Sequence, residues 1–172
     1  MRPTKLQILT KTALMAAVIS VLAQVTLPFS AVPLTLQTFA IAFCGYYLGG
    51  KHGALTVLVY LLMGAIGLPV FSAFGATAAF LGPTGGFLVG FLPLSLLCGI
   101  SAPIGKIKSL LLSACGLFLC HALGVLWYAF VMKLSPFSAF LLVSAPYLPK
   151  DVLSLILAKM LAKRLQKTHR KT

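Results

Sequence analysis

Three long intervals of the sequence contain no formally charged residue, and they constrain the fold more than any other feature. They cover residues 12–50, 52–105 and 109–132, and they are separated by Lys51 and by the pair Lys106 and Lys108. About 20 apolar residues in an α-helix are enough to cross the hydrocarbon core of a bilayer. The three intervals therefore have room for two, two and one membrane-spanning helices.

The overall composition excludes most classes of soluble protein. Apolar residues make up 60% of the 172 residues and charged residues only 9%, whereas a soluble domain carries roughly a quarter charged residues. The chain has 14 basic residues and one acidic residue, which gives a net charge of +13. Basic loops flanking membrane helices explain this balance better than nucleic-acid binding, because the basic residues stand in short clusters rather than in an exposed stripe.

We predict a single-domain, all-α integral membrane protein with six transmembrane helices and both termini in the cytoplasm. Prolines and turn-rich segments divide the longer intervals. The predicted helices cover residues 6–27, 34–50, 53–68, 84–104, 109–132 and 150–166, and residues 137–149 form a broken or loop-like piece. This topology leaves only Lys133 and Lys150 among the basic residues outside, as the positive-inside rule favours. The predicted location is the cell (inner) membrane.

The two predicted outer connections, residues 28–33 and 68–86, contain no charged residue. Loops in water are normally polar, and irregular backbone at membrane depth is tolerated where it is buried in protein or lines a cavity. These segments either form the walls and lid of a small-molecule pocket or cap the helix bundle structurally.

A few polar side chains in the outer half of the predicted bundle are candidates for ligand binding. Asp151, the single carboxylate, follows Lys150 at the start of the last helix. It could accept N–H groups of a neutral ligand, or stabilise the helix N-terminus through the helix dipole. Thr35 and Gln37 could face a ligand or bond between helices. Trp127 could stack on a ligand or anchor the chain at the membrane interface.

The scarcity of acidic residues excludes several chemistries. One carboxylate cannot support a paired-acid mechanism or a dicarboxylate metal site, so we expect neither an enzyme nor a metal or cofactor. Residues 99–106 resemble a phosphate-binding loop, but the spacing is one residue too long and the final Ser or Thr is missing. The cysteines and His121 are interpreted as packing residues within helices. With no energy source visible, the pattern favours a binding subunit that works with separate energising chains.

Four segments resemble the BioY family, the biotin-specific substrate-binding subunits of energy-coupling factor transporters. They are PLTLQTF at 33–39, LMGAIGLPVF at 62–71, LGPTGGFLVGF at 81–91 and PYLPKD at 146–151. The resemblance implies a six-helix protein in the lipid bilayer that binds biotin at its outer face. It also implies partners, a transmembrane coupling subunit and two cytoplasmic ATPases, with the coupling subunit meeting Ala13 and Ala17 of the first helix.

The ligand site implied by this resemblance departs in part from the family pattern. Lys150 takes the place of a glycine, Ser154 that of a lysine three residues after Asp151, and Phe87 that of a tyrosine. In the implied site Asp151 holds the ureido ring of biotin, and Lys150 replaces the missing lysine opposite the ligand carboxylate. The full set of candidates is Asp151, Lys150, Gln37, Thr35, Phe71, Phe74, Phe87 and Trp127. A binding subunit for another vitamin, such as thiamine, and a structural membrane protein without a ligand remain as alternatives.

Overall fold

The structure is built almost entirely from α-helices. This computed structural model describes residues 4–27 and 33–169, except for the side chains of Phe74 and His169. Its helices are α1 (Lys5–Gln24), α2 (Gln37–Leu48), α3 (Gly50–Ala65), α4 (Ala78–Leu81), α5 (Gly85–Ser101), α6 (Lys106–Met132), α7 (Pro136–Val143) and α8 (Leu148–His169). Two short strands, β1 (Thr26–Leu27) and β2 (Leu34–Thr35), pair antiparallel, and a 3-10 turn covers Ser72–Phe74.

The helix bounds differ from the predicted ones mainly next to strands and prolines. The first helix ends at Gln24 and the second begins at Gln37, because the residues between them that the structure describes include β1 and β2. Residues 136–143, predicted in large part as a broken or loop-like piece, form α7 instead. Pro136 occupies the first turn of that helix, where the missing N–H of proline costs no intrahelical hydrogen bond, and Ser135 caps the helix. The axes of α7 and α8 differ by 56° across the intervening turn.

The surface of the bundle is that of a membrane protein. Large apolar side chains such as Leu6, Phe118 and Phe130 are more than two-thirds exposed, which is rare on a soluble monomer. Within the described residues α1 and α6 are each long and apolar enough to cross a membrane, and α7 with α8 could form a third, bent span. The helices α2, α3 and α5 have 12, 16 and 17 residues. The count of six spans therefore stays a prediction.

Glycines allow the helices to approach one another closely. A Cβ atom added to Gly45 of α2 would lie 2.3 Å from the carbonyl oxygen of Ser95 in α5, and one added to Gly99 would lie 2.3 Å from the Gly50 nitrogen. A Cβ on Gly90 would meet the α6 backbone in the same way, at 2.8 Å. Small residues at such crossings are typical of helices packed in a membrane, where close van der Waals contact drives association.

The two ends of the bundle differ strongly in charge. Lys159, in the second half of α8, contacts Ser109 at the start of α6, and Gly50 of α3 lies against Gly99 near the end of α5. α1 also begins at this end, because its last residue, Gln24, contacts the loop after α3 at the other end. This basic end carries Lys5, Lys11, Lys51, Lys106, Lys108, Lys159, Lys163, Arg164 and Lys167. The opposite end carries Lys133, Lys150 and Asp151.

Replacing Gly45 by serine is expected to destabilise the fold, because the new side chain would overlap the Ser95 carbonyl. Overpacking of this kind costs about 1–3 kcal/mol. The matched control is Gly105→Ser before α6, where an added Cβ would meet no heavy atom within 4 Å and φ is −55°. Thermal unfolding of both variants in detergent provides the measurement. Equal melting temperatures for the two variants would contradict the close packing of α2 on α5.

Candidate functional site

A cavity lies at the end of the bundle opposite the basic end, between α2, α5, α6, α8 and the loop after α3. The space between its walls is about 640 Å³, a volume that includes the open mouth. The apolar part of the lining is Pro33, Phe71, Phe87, Leu88, Phe91, Leu117, Cys120 and Val143. The polar part is Thr35, Gln37, Thr38, Ser72, Thr84, His121, Tyr147, Lys150 and Asp151.

Asp151 is the centre of a buried polar network in this cavity. The residue is 5% exposed. One carboxylate oxygen, Oδ1, lies 2.5 Å from Lys150 Nζ, and the other, Oδ2, lies 3.2 Å from His121 Nε2. The Nδ1 atom on the far side of the imidazole lies 2.8 Å from Ser144 Oγ. A carboxylate removed from water needs such partners, because burying an uncompensated charge costs several kcal/mol. The network joins the middle of α6, the turn after α7 and the start of α8.

Lys150 links the start of α8 to strand β2. In addition to its contact with Asp151, Lys150 Nζ donates a hydrogen bond of 3.0 Å to the main-chain oxygen of Thr35. Both Lys150 and Asp151 lie in the first turn of α8, where the helix dipole also favours the carboxylate. The ammonium therefore lies beside Asp151 and balances its charge.

Gln37 and Thr35 line the cavity and also hold its wall together. Thr35 Oγ1 accepts from the Gln37 main-chain N–H and donates to Gln37 Oε1, both at 3.2 Å. The side-chain amide of Gln37 donates to Tyr60 Oη at 2.6 Å, and that hydroxyl donates to the Val70 carbonyl at 3.3 Å. The start of α2, α3 and the loop after α3 are thus connected by one chain of hydrogen bonds.

Two phenylalanines form fixed aromatic walls. The ring of Phe71 is buried and meets Tyr60 and Phe80 edge to face, with centroids 5.2 and 5.3 Å apart. The ring of Phe87 stands perpendicular to the His121 ring, with centroids 5.9 Å apart. Gly124 makes room for Phe87, since a Cβ there would lie 2.4 Å from the ring. Rigid apolar surfaces therefore face the polar network.

The structure brings most of the predicted ligand residues together. Those that line the cavity are Asp151, Lys150, Gln37, Thr35, Phe71 and Phe87. The side chain of Phe74 lies outside the part of the chain that is described. Trp127 requires a correction, because its indole N–H donates to the Gly82 carbonyl at 2.9 Å and its ring lies in a separate surface groove with Phe130. Trp127 holds the loop before α5 from outside and does not line the cavity.

His121 is the site residue that sequence reasoning missed. It was interpreted as a packing residue, yet it contacts Asp151 directly. A signal was available in the sequence: a histidine in the middle of the apolar interval 109–132 must find a polar partner when buried, and the chain contains one carboxylate. What the sequence could not supply was the distance between two residues 30 positions apart.

Ala13 and Ala17 lie far from the cavity on the outer face of α1. Both are exposed, whereas the buried face of this helix consists of Thr12, Ala16, Ile19 and Ala23. Four-residue spacing places Ala13, Ala17 and the exposed Val21 in one row along the helix. The row forms a shallow strip on a membrane-facing helix.

Replacing Lys150 by methionine is expected to lower the melting temperature, because Asp151 then loses the cation beside Oδ1. We expect a loss of about 1–3 kcal/mol, below the full value for a broken buried pair because Lys150 still reaches water. Lys133→Met is the matched control, since Lys133 is exposed at the end of α6. A thermal-shift assay in detergent measures the melting temperatures of both variants. Equal melting temperatures would show that the contact between Lys150 and Asp151 does not contribute to stability.

Comparison with known proteins adds independent information. The model of the BioY family matches residues 1–171. A probable biotin transporter BioY of Pyrococcus horikoshii is 37% identical, over 90% of this chain and 93% of that protein. The biotin transporter BioY of Thermotoga maritima is 36% identical, over 92% of this chain and 95% of that protein.

A solved structure has the same fold. It is the crystal structure of the S-component for biotin from an ECF-type ABC transporter, which matches with a TM-score of 0.83 and 28% sequence identity. The match covers 95% of this chain and 92% of the other. The architecture of the helices around the cavity is therefore shared over nearly the whole length of both proteins.

Proposed function

The chain belongs to the BioY family, and we propose that it is the biotin-binding membrane subunit of an energy-coupling factor type transporter. The observation that carries this proposal is the cavity with a single buried carboxylate between aromatic walls. The similarity to biotin transporters and to a solved biotin S-component supports it. In this proposal the protein binds and delivers biotin and catalyses no reaction.

The chemistry of the cavity suits the two halves of the biotin molecule. The ureido ring presents two N–H donors, and a carboxylate is an acceptor with two oxygens. We assign Asp151 to this ring, with Thr35 and Gln37 as polar neighbours. Phe71 and Phe87 are assigned to the bicycle and the valeryl chain, since apolar and aromatic walls with few polar groups are typical of ligand pockets.

This proposal assigns Lys150 two contacts, one with Asp151 and one with the valerate carboxylate of biotin. The ammonium cannot make both contacts at the same time. In the structure its ammonium balances the charge of Asp151, which favours a ligand head that is neutral rather than cationic. Contact with the valerate carboxylate, the role implied by the lysine of related sequences, requires Nζ to leave Asp151. The charge-balancing role agrees with the observed geometry, so we place it first.

The distribution of charge supports the orientation proposed for the protein. The basic end carries nine described lysines and arginines, whereas the cavity end carries Lys133 and Lys150. Basic residues concentrate on the cytoplasmic side of membrane proteins. We therefore propose six membrane crossings in the cell (inner) membrane, with both termini in the cytoplasm and the cavity open to the outside.

Transport against a gradient requires an energy source, and the sequence of this chain shows no nucleotide-binding motif that would supply it. We propose that a transmembrane coupling subunit and cytoplasmic ATPase subunits supply it. The exposed row with Ala13 and Ala17 on α1 is the proposed contact with the coupling subunit, because small side chains allow two helices to approach closely in a bilayer.

Replacing Asp151 by asparagine is expected to weaken biotin binding tenfold or more, because the amide offers a neutral acceptor where the carboxylate offered a charged one. Trp127→Phe serves as the comparison, since Trp127 lies close to the site but outside the cavity. Equilibrium binding of labelled biotin to purified protein measures both affinities. An Asp151→Asn variant with unchanged affinity would refute the assignment, and displacement of biotin by excess thiamine would favour the other vitamin as ligand.

Enlarging Ala13 and Ala17 to leucine is expected to reduce association with the coupling subunit while biotin binding stays within twofold. The larger side chains fill the strip on α1 but do not reach the cavity. Ala114→Leu, at an exposed alanine of α6, is the control. Co-purification of the tagged chain with its coupling and ATPase subunits provides the measurement. Full recovery of the complex with the double variant would place the contact elsewhere.

A further inference from the structure

His121 and Ser144 form a buried polar pair to which the proposal above gives no role. His121 is 6% exposed and Ser144 is fully buried. They come from different elements, since His121 lies in the middle of α6 and Ser144 follows α7. Only the imidazole ring separates the Ser144 hydroxyl from the Asp151 carboxylate, with contacts of 2.8 Å on one side and 3.2 Å on the other.

The hydrogen-bonding capacity of each group selects one tautomer of His121. A neutral imidazole has one N–H donor and one acceptor nitrogen, whereas a carboxylate only accepts. The nitrogen that faces Asp151, Nε2, must therefore carry the hydrogen atom. Nδ1 is then the acceptor, and the Ser144 hydroxyl is the donor that satisfies it. In this arrangement each contact among the three side chains pairs one donor with one acceptor.

The orientation of the ring is fixed as well. The Phe87 ring stands at 90° to the imidazole. Ser144 itself is held by main-chain bonds, because its N–H donates to Phe140 and its carbonyl accepts from Tyr147 and Leu148. The turn that carries Ser144 holds one edge of the imidazole, and the Phe87 ring packs against it. The imidazole therefore keeps one orientation and acts as a fixed donor toward Asp151.

A fixed donor at Oδ2 changes what Asp151 offers to a ligand. A carboxylate has about four acceptor positions, two on each oxygen. His121 faces Oδ2, Lys150 Nζ lies beside Oδ1, and Thr38 donates a further hydrogen bond to the carboxylate. The acceptor positions that remain open face a cavity that Asp151 lines, and the rotation of the carboxylate decides where they point. The two N–H groups of a cyclic urea point away from each other on either side of its carbonyl, so the carboxylate can accept one of them.

We propose that His121 is a positioning residue for the ligand-binding carboxylate: held in its Nε2–H tautomer by Ser144, it fixes the rotation of Asp151 so that the carboxylate accepts an N–H of the ligand. This inference rests on the proposed function, because the ligand whose ureido N–H Asp151 accepts is biotin. It also predicts that the identity of the donor atom at residue 121 matters more than the size of the side chain.

Three substitutions of His121 separate donation from packing. Glutamine places its amide nitrogen where Nε2 of histidine lies, so His121→Gln keeps the donor toward Asp151. Asparagine places its amide nitrogen near the position of Nδ1, so His121→Asn keeps a polar group toward Ser144 and loses the donor toward Asp151. His121→Leu removes both. A hydrogen bond to a charged group contributes about 1.5–3 kcal/mol, which corresponds to roughly a tenfold to hundredfold change in affinity.

We expect His121→Gln to bind biotin within about threefold of the wild type, and His121→Asn and His121→Leu to lose at least tenfold. Size-exclusion chromatography in detergent first establishes that each variant is folded. Equal losses for glutamine and asparagine, or binding by all three variants at wild-type affinity, would overturn the positioning role.

A second measurement keeps the inference testable if these variants do not fold. Nitrogen-15 spectra of labelled histidine in the wild-type protein report which ring nitrogen carries the hydrogen, and comparison with the His52→Gln and His169→Gln variants assigns the His121 signals by elimination. The expected result is the single Nε2–H tautomer in the wild type and a shifted or mixed state in Ser144→Ala. A protonated imidazolium or the Nδ1–H tautomer in the wild type would overturn the inference.

Ser95→Ala is the matched control for Ser144→Ala, because Ser95 is equally buried but lies on α5 away from the cavity lining. It should leave both the histidine spectrum and biotin affinity unchanged, whereas Ser144→Ala should lower the affinity about threefold to tenfold. The two proposals fail differently. A wild-type protein that does not bind biotin refutes the proposed function, and a wild-type protein that binds biotin with an insensitive His121 refutes only the positioning role.

Discussion

The buried carboxylate of Asp151 is the group on which the organisation of the cavity depends. A charge removed from water inside an apolar bundle must be surrounded by donors, and this chain gathers them from three helices. Lys150 comes from the same turn of α8, His121 from α6 and Thr38 from α2, and Ser144 supports His121 from the turn after α7. Each of these helices is therefore held in a position that suits the carboxylate. Their apolar surfaces pack around the network and form the remaining walls.

Shape and charge have different origins in this protein. The helices pack closely where Gly45 and Gly99 leave space for a neighbouring backbone, and Gly124 leaves space for the Phe87 ring of the cavity wall. Such packing fixes the frame around the cavity but provides no hydrogen-bonding specificity. Specificity comes from a small number of polar groups placed on this rigid frame, a division of labour that is general among small-molecule sites. The proposed biotin site is consistent with this division, because the ureido ring needs donors and acceptors while the bicycle needs surfaces.

The sequence was most informative about features that depend on composition along the chain. Uncharged intervals indicated apolar helices, and the position of Asp151 after Pro149 indicated a carboxylate at a helix start. Features that depend on tertiary distance could not be obtained in this way. The residue type and depth of Trp127 predict a ligand contact, yet its indole N–H donates to the Gly82 carbonyl. The sequence around His121 has no metal-ligand spacing and predicts a packing residue, although its carboxylate partner lies on another helix. Residues 137–149 are predicted as a broken or loop-like piece, whereas residues 136–143 form a helix that begins with a proline in its first turn.

The bond between Lys150 and the main chain of Thr35 joins residues 115 positions apart, and this separation has a consequence for how the protein is made. β2 and the start of α2 are synthesised well before α8. Until α8 docks, the aromatic walls can exist but the carboxylate and its ammonium partner are absent. The docking of α8 therefore completes the cavity, and ligand binding becomes possible only after this helix has joined the bundle.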